Sequence, residues 1–533
     1  MTSFTDFVDD VARRLRLSHV VQCVAIAAAY FFTRLTNILA LPVFSDEGIY
    51  INWARIAAYD PAWRFISLID GKQPLQTWGT IPFIKFFPDN LLLAGRLFSV
   101  STGFVALVGI FVLCWYLWGR RAGIIAAVLY VVSPYFLFYD RMALVDSGVN
   151  AAVIWMFLFS ILLAKKMRLD IAMIFGVVAG IGLLTKSSVM LFLGLSTGAV
   201  VFAVGPMAAS WSFKSIQHAI FSKRKLLVDF IALYGFAFCI AMAMYLTQRF
   251  FSPFFHYIAQ KNFTFILSPQ EWLADPLGLV MTNIQLVPLY VAWESGWLPV
   301  LFGLVGLWFL AKKDRRLAAY FATWIVVPFI LIVNFNKVLF PRYLIFFPTF
   351  FVILTTYLFV TFAKKTLFRV LIPLTVILLL GLSYPILFNV TSISFPPVDR
   401  GQYIEGKTAV WGAEELMEIV RAETADGKYA LVLAEGNFGL IADVLSVYVR
   451  PQDRIEIRGA WPLNEEDIVR AQSEMDTKHA FVVFSHRKDF AVHWQEELMI
   501  LVKKFEKPNN PDEAVYLFKM RPPKMKIDAA HQN

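Results

Sequence analysis

Asp46 and Glu47 stand side by side in the segment SDEGIY, directly after the first long apolar stretch of the chain. Adjacent carboxylates at the mouth of an apolar span are costly unless they are solvated, paired or used. If the chain turns helical after Ser45, Asp46 and Tyr50 share one helix face at i, i+4, with Ser45 as the N-cap. On spacing alone two readings stay open: an acidic site at a membrane surface, or two acids that merely cap an interfacial helix in water.

Positive side chains recur at comparable places. Lys72, in DGKQPLQTW, sits in a turn containing Gly and Pro. It suits a phosphate as a point charge, or simply snorkels to water. Arg96, in AGRLFSV, lies inside the outer end of a span and calls for an anion, either a lipid phosphate or Asp46. Asp140, Arg141 and Asp146 crowd the turn YDRMALVDSG, where one acid is expected to pair with Arg141 and leave the other free. Lys186, in GLLTKSS, and Arg342 and Tyr343, in LFPRYLIFFP, border apolar spans, with Lys337 nearby. Anion binding and contact with lipid headgroups both fit these cations.

The elements that must position these residues are membrane spans. Of 533 residues 58% are hydrophobic and 17% charged, too little charge for a soluble chain of this length. Apolar runs suggest spans at about 19–41, 91–117, 122–139, 148–164, 170–185, 187–208, 228–248, 284–310, 317–334, 343–362 and 369–390. With about eleven spans, the basic clusters at Arg13/Arg14/Arg16, Arg120/Arg121, Lys165/Lys166/Arg168, Lys214/Lys223/Arg224/Lys225, Lys312/Lys313/Arg315/Arg316 and Lys364/Lys365/Arg369 all fall on one side. The positive-inside rule makes that side cytoplasmic and puts the C-terminus outside. The net charge of +10 therefore belongs to cytoplasmic loops rather than to nucleic-acid binding. The loop 42–90, the loop 249–283 with Arg249, His256 and Lys261, and the tail from about 391 face outward. The N-terminus, with three acids ahead of its basic cluster, does not read as a cleavable signal.

After Pro396 and Pro397 the text changes to alternating amphipathic helices (WGAEELMEIVRAET, NEEDIVRAQSEMD) and short strands (YALVLAE, RIEIRG, HAFVVFSH, AVYLFKM). The expected fold class is mainly α: a polytopic transmembrane bundle over 1–395, followed by a small extracytoplasmic α/β domain over 396–533. The last dozen residues read as disordered. The three cysteines lie in apolar segments and form no disulfide framework. The histidines lack ligand spacing, and no P-loop, dinucleotide fingerprint or GxSxG elbow is present, so any chemistry needs a pre-activated donor.

The order of DEGIY, DGKQPLQTW, AGRLFSV, DRMALVDSG, LLTKSSV and PRYLIFFP resembles the membrane glycosyltransferases of the GT-C type, in particular family 39 with the protein O-mannosyltransferases and aminoarabinose transferases, over about residues 20–360. The family often has two prolines after the loop lysine where this chain has Gln73 and Pro74, and no β-trefoil insertion is seen, so a prokaryotic enzyme fits better. The resemblance implies an inverting transfer of a sugar from a polyprenyl-phosphate donor to a protein, lipid or glycan acceptor at the outer membrane face. By analogy Asp46 is the base, with Glu47 and Asp146 as further acids. Lys72, Arg96, Lys186 and Arg342 would neutralise the leaving phosphate, Arg141 would join Asp146 in orienting cations or acceptor, and Tyr50 and Tyr343 would contact sugar or orient charges. Such a set of fixed cations requires no metal cofactor. A transporter or flippase of lipid-linked sugars is the alternative, and the same residues would serve it; a scaffold presenting the tail is a weaker one.

Overall fold

The computed structural model describes residues 17–204, 223–436 and 440–523. The N-terminal arginines, Lys214 and the extreme C-terminus lie outside the described residues. Among the described residues of the first three quarters of the chain, apolar sequence without β-branched alternation winds mostly into helices. The principal ones are α1 Leu17–Leu35, α2 Ser45–Tyr59, α3 Leu75–Phe86, α4 Leu91–Trp118, α5 Arg120–Val132, α6 Pro134–Tyr139, α7 Asp146–Lys166, α8 Leu169–Thr185, α9 Val189–Ser196, α10 Arg224–Phe251, α11 Tyr257–Phe265, α12 Val280–Ser295, α13 Trp297–Lys313, α14 Arg315–Phe335, α15 Phe346–Phe362 and α16 Thr366–Phe388. Among the described residues five helices (α4, α7, α10, α14, α16) are long and apolar enough to cross a membrane, and six spans result if α12 and α13 count as one. Shorter apolar helices include α8 and α15.

Two expected spans are not continuous. The stretch 122–139 breaks at Ser133, because Pro134 disfavours helical geometry in the residue before it. The stretch 284–310 bends by 111° between α12 and α13, at Gly296 with φ of +79°.

Contacts sort the chain into two units. The first takes residues up to Ile38, Ala62–Trp78 and Arg96–Pro396; the second takes Leu39–Pro61, Gly79–Gly95 and everything from Pro397. Segments 39–61 and 79–95, which a division at 395/396 would leave with the helices, thus cluster with the C-terminal residues.

In the first unit, helices pack closely where small residues allow it. Gly176 and Gly180 of α8 lie against Ala237 and Met244 of α10, and Gly303 and Gly306 of α13 against Phe351 and Leu354 of α15. The fully buried pair Arg34–Asp140 (3.2 Å) ties α1 to the turn after α6, with the Tyr130 and Tyr30 hydroxyls donating to the same carboxylate at 3.1 and 3.5 Å.

In the second unit, five strands form a sheet in the order β4-β3-β5-β7-β6. They are β3 Tyr429–Glu435, β4 Ile455–Ala460, β5 Lys478–Phe484, β6 Met499–Lys507 and β7 Asn510–Met520; β3, β4 and β5 run parallel, and β7 and β6 complete the sheet antiparallel. The interior strand β3 reads as an unbroken apolar run because helices α17 Ala413–Glu423 and α19 Glu465–Gln472 pack against it. Helix α18 Ile441–Ser446 lies between β3 and β4 in the chain. The four strands and two helices read from the sequence are all present, whereas β6 is an addition. A separate two-stranded ladder pairs β1 Val43–Phe44 with β2 Ala409–Val410.

Candidate functional site

Within the first unit, side chains from five segments that are remote in sequence converge. The 3-10 turn Ile66–Asp70 ends at Gly71, whose φ of +62° turns the chain so that Lys72 follows it. A Cβ at Gly71 would overlap the Tyr257 carbonyl oxygen at the start of α11, so only glycine permits this approach. Asp70 then lies between two lysines: Lys261 of α11 at 2.6 Å and Lys72 at 3.5 Å. Lys72 is therefore no isolated snorkelling lysine. One residue further on, the Gln73 amide donates to the Ser187 hydroxyl (3.3 Å), which itself donates to Asn262 Oδ1 (3.3 Å).

Lys186 ends α8 in an extended conformation, which frees its side chain from the helix surface. Its ammonium donates to Asp146 Oδ1 at the first residue of α7 (3.2 Å) and stands 4.2 Å from the centre of the Tyr343 ring. The carboxylate is nearly buried while the lysine keeps 29% of its exposure, so the pair is aimed and still accessible. The Arg342 guanidinium lies 5.2 Å from the same ring and 5.5 Å from Phe340. Both residues stand on the short 3-10 turn Pro341–Leu344, and its Pro341 carbonyl accepts the Tyr135 hydroxyl of α6. The result is a cluster rich in cations, Lys72, Lys186, Lys261 and Arg342, set by two carboxylates, Asp70 and Asp146, and roofed by an aromatic ring. Such a cluster suits an anion whose charge grows during a reaction.

Arg141 and Arg96 make contacts to backbone carbonyls. Arg141 pairs with no acid among the described residues. Its guanidinium donates to the carbonyls of Thr36, Asn37 and Ile386 (2.7–2.9 Å). It thereby occupies orphan acceptors at the ends of α1 and α16, while Asp140 is taken by Arg34 and Asp146 by Lys186. Arg96 is buried and donates to the Ile38 carbonyl (2.6 Å). Lys261, Asn262, Gln73 and Ser187 join the site through the fold; in the sequence Lys261 marks the loop 249–283 and Gln73 a departure from the family pattern, and neither points to the other residues.

In the second unit, α2 carries Asp46, Glu47 and Tyr50, and the helix begins one residue earlier than a Ser45 cap requires. Phe44 is the capping position, its N–H is accepted by Glu47 Oε2 (3.2 Å), and Ser45 is the first helical residue. The Ser45 hydroxyl instead donates to the Thr408 carbonyl (3.2 Å). Glu47, fully buried, thus starts the helix, while the neighbouring Asp46 stays half-buried. Tyr50 meets Trp53 edge-on at 5.8 Å. No group of three or more metal-ligating side chains occurs among the described residues.

Residues 72–222 match the family model described as Dolichyl-phosphate-mannose-protein mannosyltransferase. Two solved structures of ArnT from Cupriavidus metallidurans, apo and bound to undecaprenyl phosphate, match with a TM-score of 0.54 at 13% identity, covering 93% of this chain and 97% of theirs. The apo oligosaccharyltransferase of Archaeoglobus fulgidus matches with a TM-score of 0.48 at 13% identity, over 87% of this chain and 69% of that one. A search of curated proteins finds no match. The resemblance to GT-C glycosyltransferases is borne out by the family match together with the ArnT-like fold.

Proposed function

We propose that the chain is a multi-pass membrane glycosyltransferase of the GT-C type, a reading supported by the family match and the ArnT-like fold, and that it transfers a sugar from a polyprenyl-phosphate donor to an acceptor hydroxyl at the outer face of the membrane, with inversion. The carrying observation is the cluster of Lys72, Lys186, Lys261 and Arg342 around Asp70, Asp146 and Tyr343, which includes the start of the family-matched segment. In this reading Asp46 takes the proton of the acceptor hydroxyl. The acceptor oxygen bonds to the anomeric carbon as the bond from that carbon to the phosphate oxygen breaks. The leaving lipid phosphate gains one negative charge, which the cation cluster offsets. Asp146 orients Lys186, and the Tyr343 ring limits where both Lys186 and Arg342 can go. About eleven spans, a cytoplasmic N-terminus and an extracytoplasmic C-terminal region complete the proposal, and no metal is assigned a step.

Mass spectrometry of cell-envelope glycoconjugates, with and without the chain, tests this and identifies sugar and acceptor together. Wild-type protein restores a sugar-bearing product, and Asp46→Asn lowers its rate at least about 100-fold. A product formed at the wild-type rate by Asp46→Asn would refute the assignment of the base. The sharp bend between α12 and α13 is a feature that transporters also use. Movement of a sugar lipid across vesicles without transfer would favour that second reading.

A further inference from the structure

Helix α2 meets the C-terminal residues along a stripe of small and polar side chains. Gly48 approaches α18 so closely that a Cβ there would stand 2.9 Å from Val444 Cγ2 and 3.1 Å from the Val444 backbone. One turn on, the Asn52 amide donates to Asp443 Oδ1 at 2.7 Å. The same Asn52 oxygen accepts two N–H groups of Arg55 (2.8 and 3.2 Å), so its donor end is aimed at Asp443. Gly48, Asn52 and Arg55 thus lie along one stripe of α2. Asp46 and Tyr50 lie roughly 200° around the helix from Gly48, on the opposite face.

The start of α2 is fixed independently. Val43 and Phe44 pair with Val410 and Ala409, the Ser45 N–H donates to the Thr408 carbonyl at 3.0 Å, and the Phe44 ring meets Tyr403 at 4.8 Å. A ladder alone would set where the helix begins but leave it free to rock and turn about that end. The Gly48–Val444 approach and the Asn52–Asp443 hydrogen bond remove that freedom, since a rotation that moved Asp46 would drive Gly48 into Val444 or break the bond.

We propose that Asp443 and Val444 of α18, acting through Asn52 and Gly48, are positioning residues for the transfer reaction: they lock the rotation of α2 and so the direction of the Asp46 carboxylate. This rests on Asp46 being the base, and it gives the C-terminal region a role in the chemistry that does not depend on binding the acceptor. Neither Asp443 nor Val444 touches the reacting atoms in this scheme.

The test uses the full-length chain in cells that otherwise lack it. Initial rates of product formation per membrane-inserted protein are compared for wild type, Asp46→Asn, Asn52→Ala, Asp443→Ala and the exchanged pair Asn52→Asp with Asp443→Asn. Amide hydrogen exchange is followed over residues 45–55 in the purified proteins. A single loss of this charge-assisted bond slows product formation about tenfold and speeds exchange in 45–55 while leaving β3 unchanged. The exchanged pair, which keeps an amide facing a carboxylate, restores both. Wild-type rate and unchanged exchange in both single variants overturn the proposal, as does an exchanged pair that behaves like Asp443→Ala. Where a single variant fails to reach the membrane, the exchanged pair alone decides between these outcomes. Asp46→Asn forming product at the wild-type rate sinks the base assignment instead, whatever the exchange data show, so the two failures are told apart.

Discussion

Replacing Lys186 by Gln removes one cation from the cluster while keeping a side chain of similar length. The lysine is 3.2 Å from Asp146 and 4.2 Å from the Tyr343 ring centre, with 29% of its side chain exposed. A charge-assisted hydrogen bond to a bound phosphate contributes about 1.5–3 kcal/mol, and the partial exposure puts Lys186 at the lower end, ~1.5 kcal/mol or about tenfold in Kd. The measurement is binding of undecaprenyl phosphate to the detergent-solubilised chain, by titration at two salt concentrations. Lys186→Gln raises Kd about tenfold and shallows the salt dependence. Asp146→Asn changes Kd in the wild-type background and has little further effect in Lys186→Gln, because the acid acts by aiming the lysine. If Lys186→Gln binds the lipid phosphate as tightly as wild type, the cluster is an internal ion-pair network and not a phosphate site. If the two substitutions add in full, Asp146 works by another route.

Three other outcomes follow from single features. Gly71→Ala forces a left-handed φ and overlap with the Tyr257 carbonyl, so it lowers the thermal midpoint and weakens undecaprenyl phosphate binding. Gly119→Ala, with a φ of +88° and open space around it, carries backbone strain alone and spares binding. Asp140→Leu leaves the buried Arg34 guanidinium without its carboxylate and destabilises by about 3–5 kcal/mol, and Arg34→Met with Asp140→Leu recovers most of that in the same thermal assay. Burial, reinforced by Lys407 and Lys488 nearby, lowers Lys507 from 10.5 to about 8. Between those two values the unfolded chain holds more protons than the folded one, so stability of the sheet rises with pH from about 8 to 10.5. Lys507→Met flattens that rise, as read by amide exchange of β6 and β7 across the window.

The sequence exposed elements whose pattern is local. YALVLAE and HAFVVFSH became β3 and β5 because continuous apolar runs of that length suit an interior parallel strand. MILVKKFEK was not read as a strand, and β6 shows why: it lies at the sheet edge with most of its side chains exposed, so no alternation is written into it. The breaks at Ser133 and Gly296 were invisible to hydropathy, which counts apolar residues and not backbone direction. Lys186 stands out in the sequence as a cation bordering an apolar span, but its partner Asp146 is 40 residues away. The contact between Asp70 and Lys261 spans 191 residues and leaves no trace in either segment. Arg141 misled for a chemical reason. Beside two acids it reads as their counter-ion, whereas helix ends without caps offered carbonyls that a fork of N–H donors satisfies better.

The short ladder between β1 and β2 has a consequence for biosynthesis. The Ser45 hydroxyl and its Thr408 acceptor are 363 residues apart. A ribosome emits the segment bearing Asp46 early, and the strand that completes its seat only after most of the chain has been made. The helix with the acidic pair must wait through that interval with its docking partner still unsynthesised, so a premature stop between residues 343 and 408 yields a protein that carries every cation of the cluster and still lacks the support for its carboxylate.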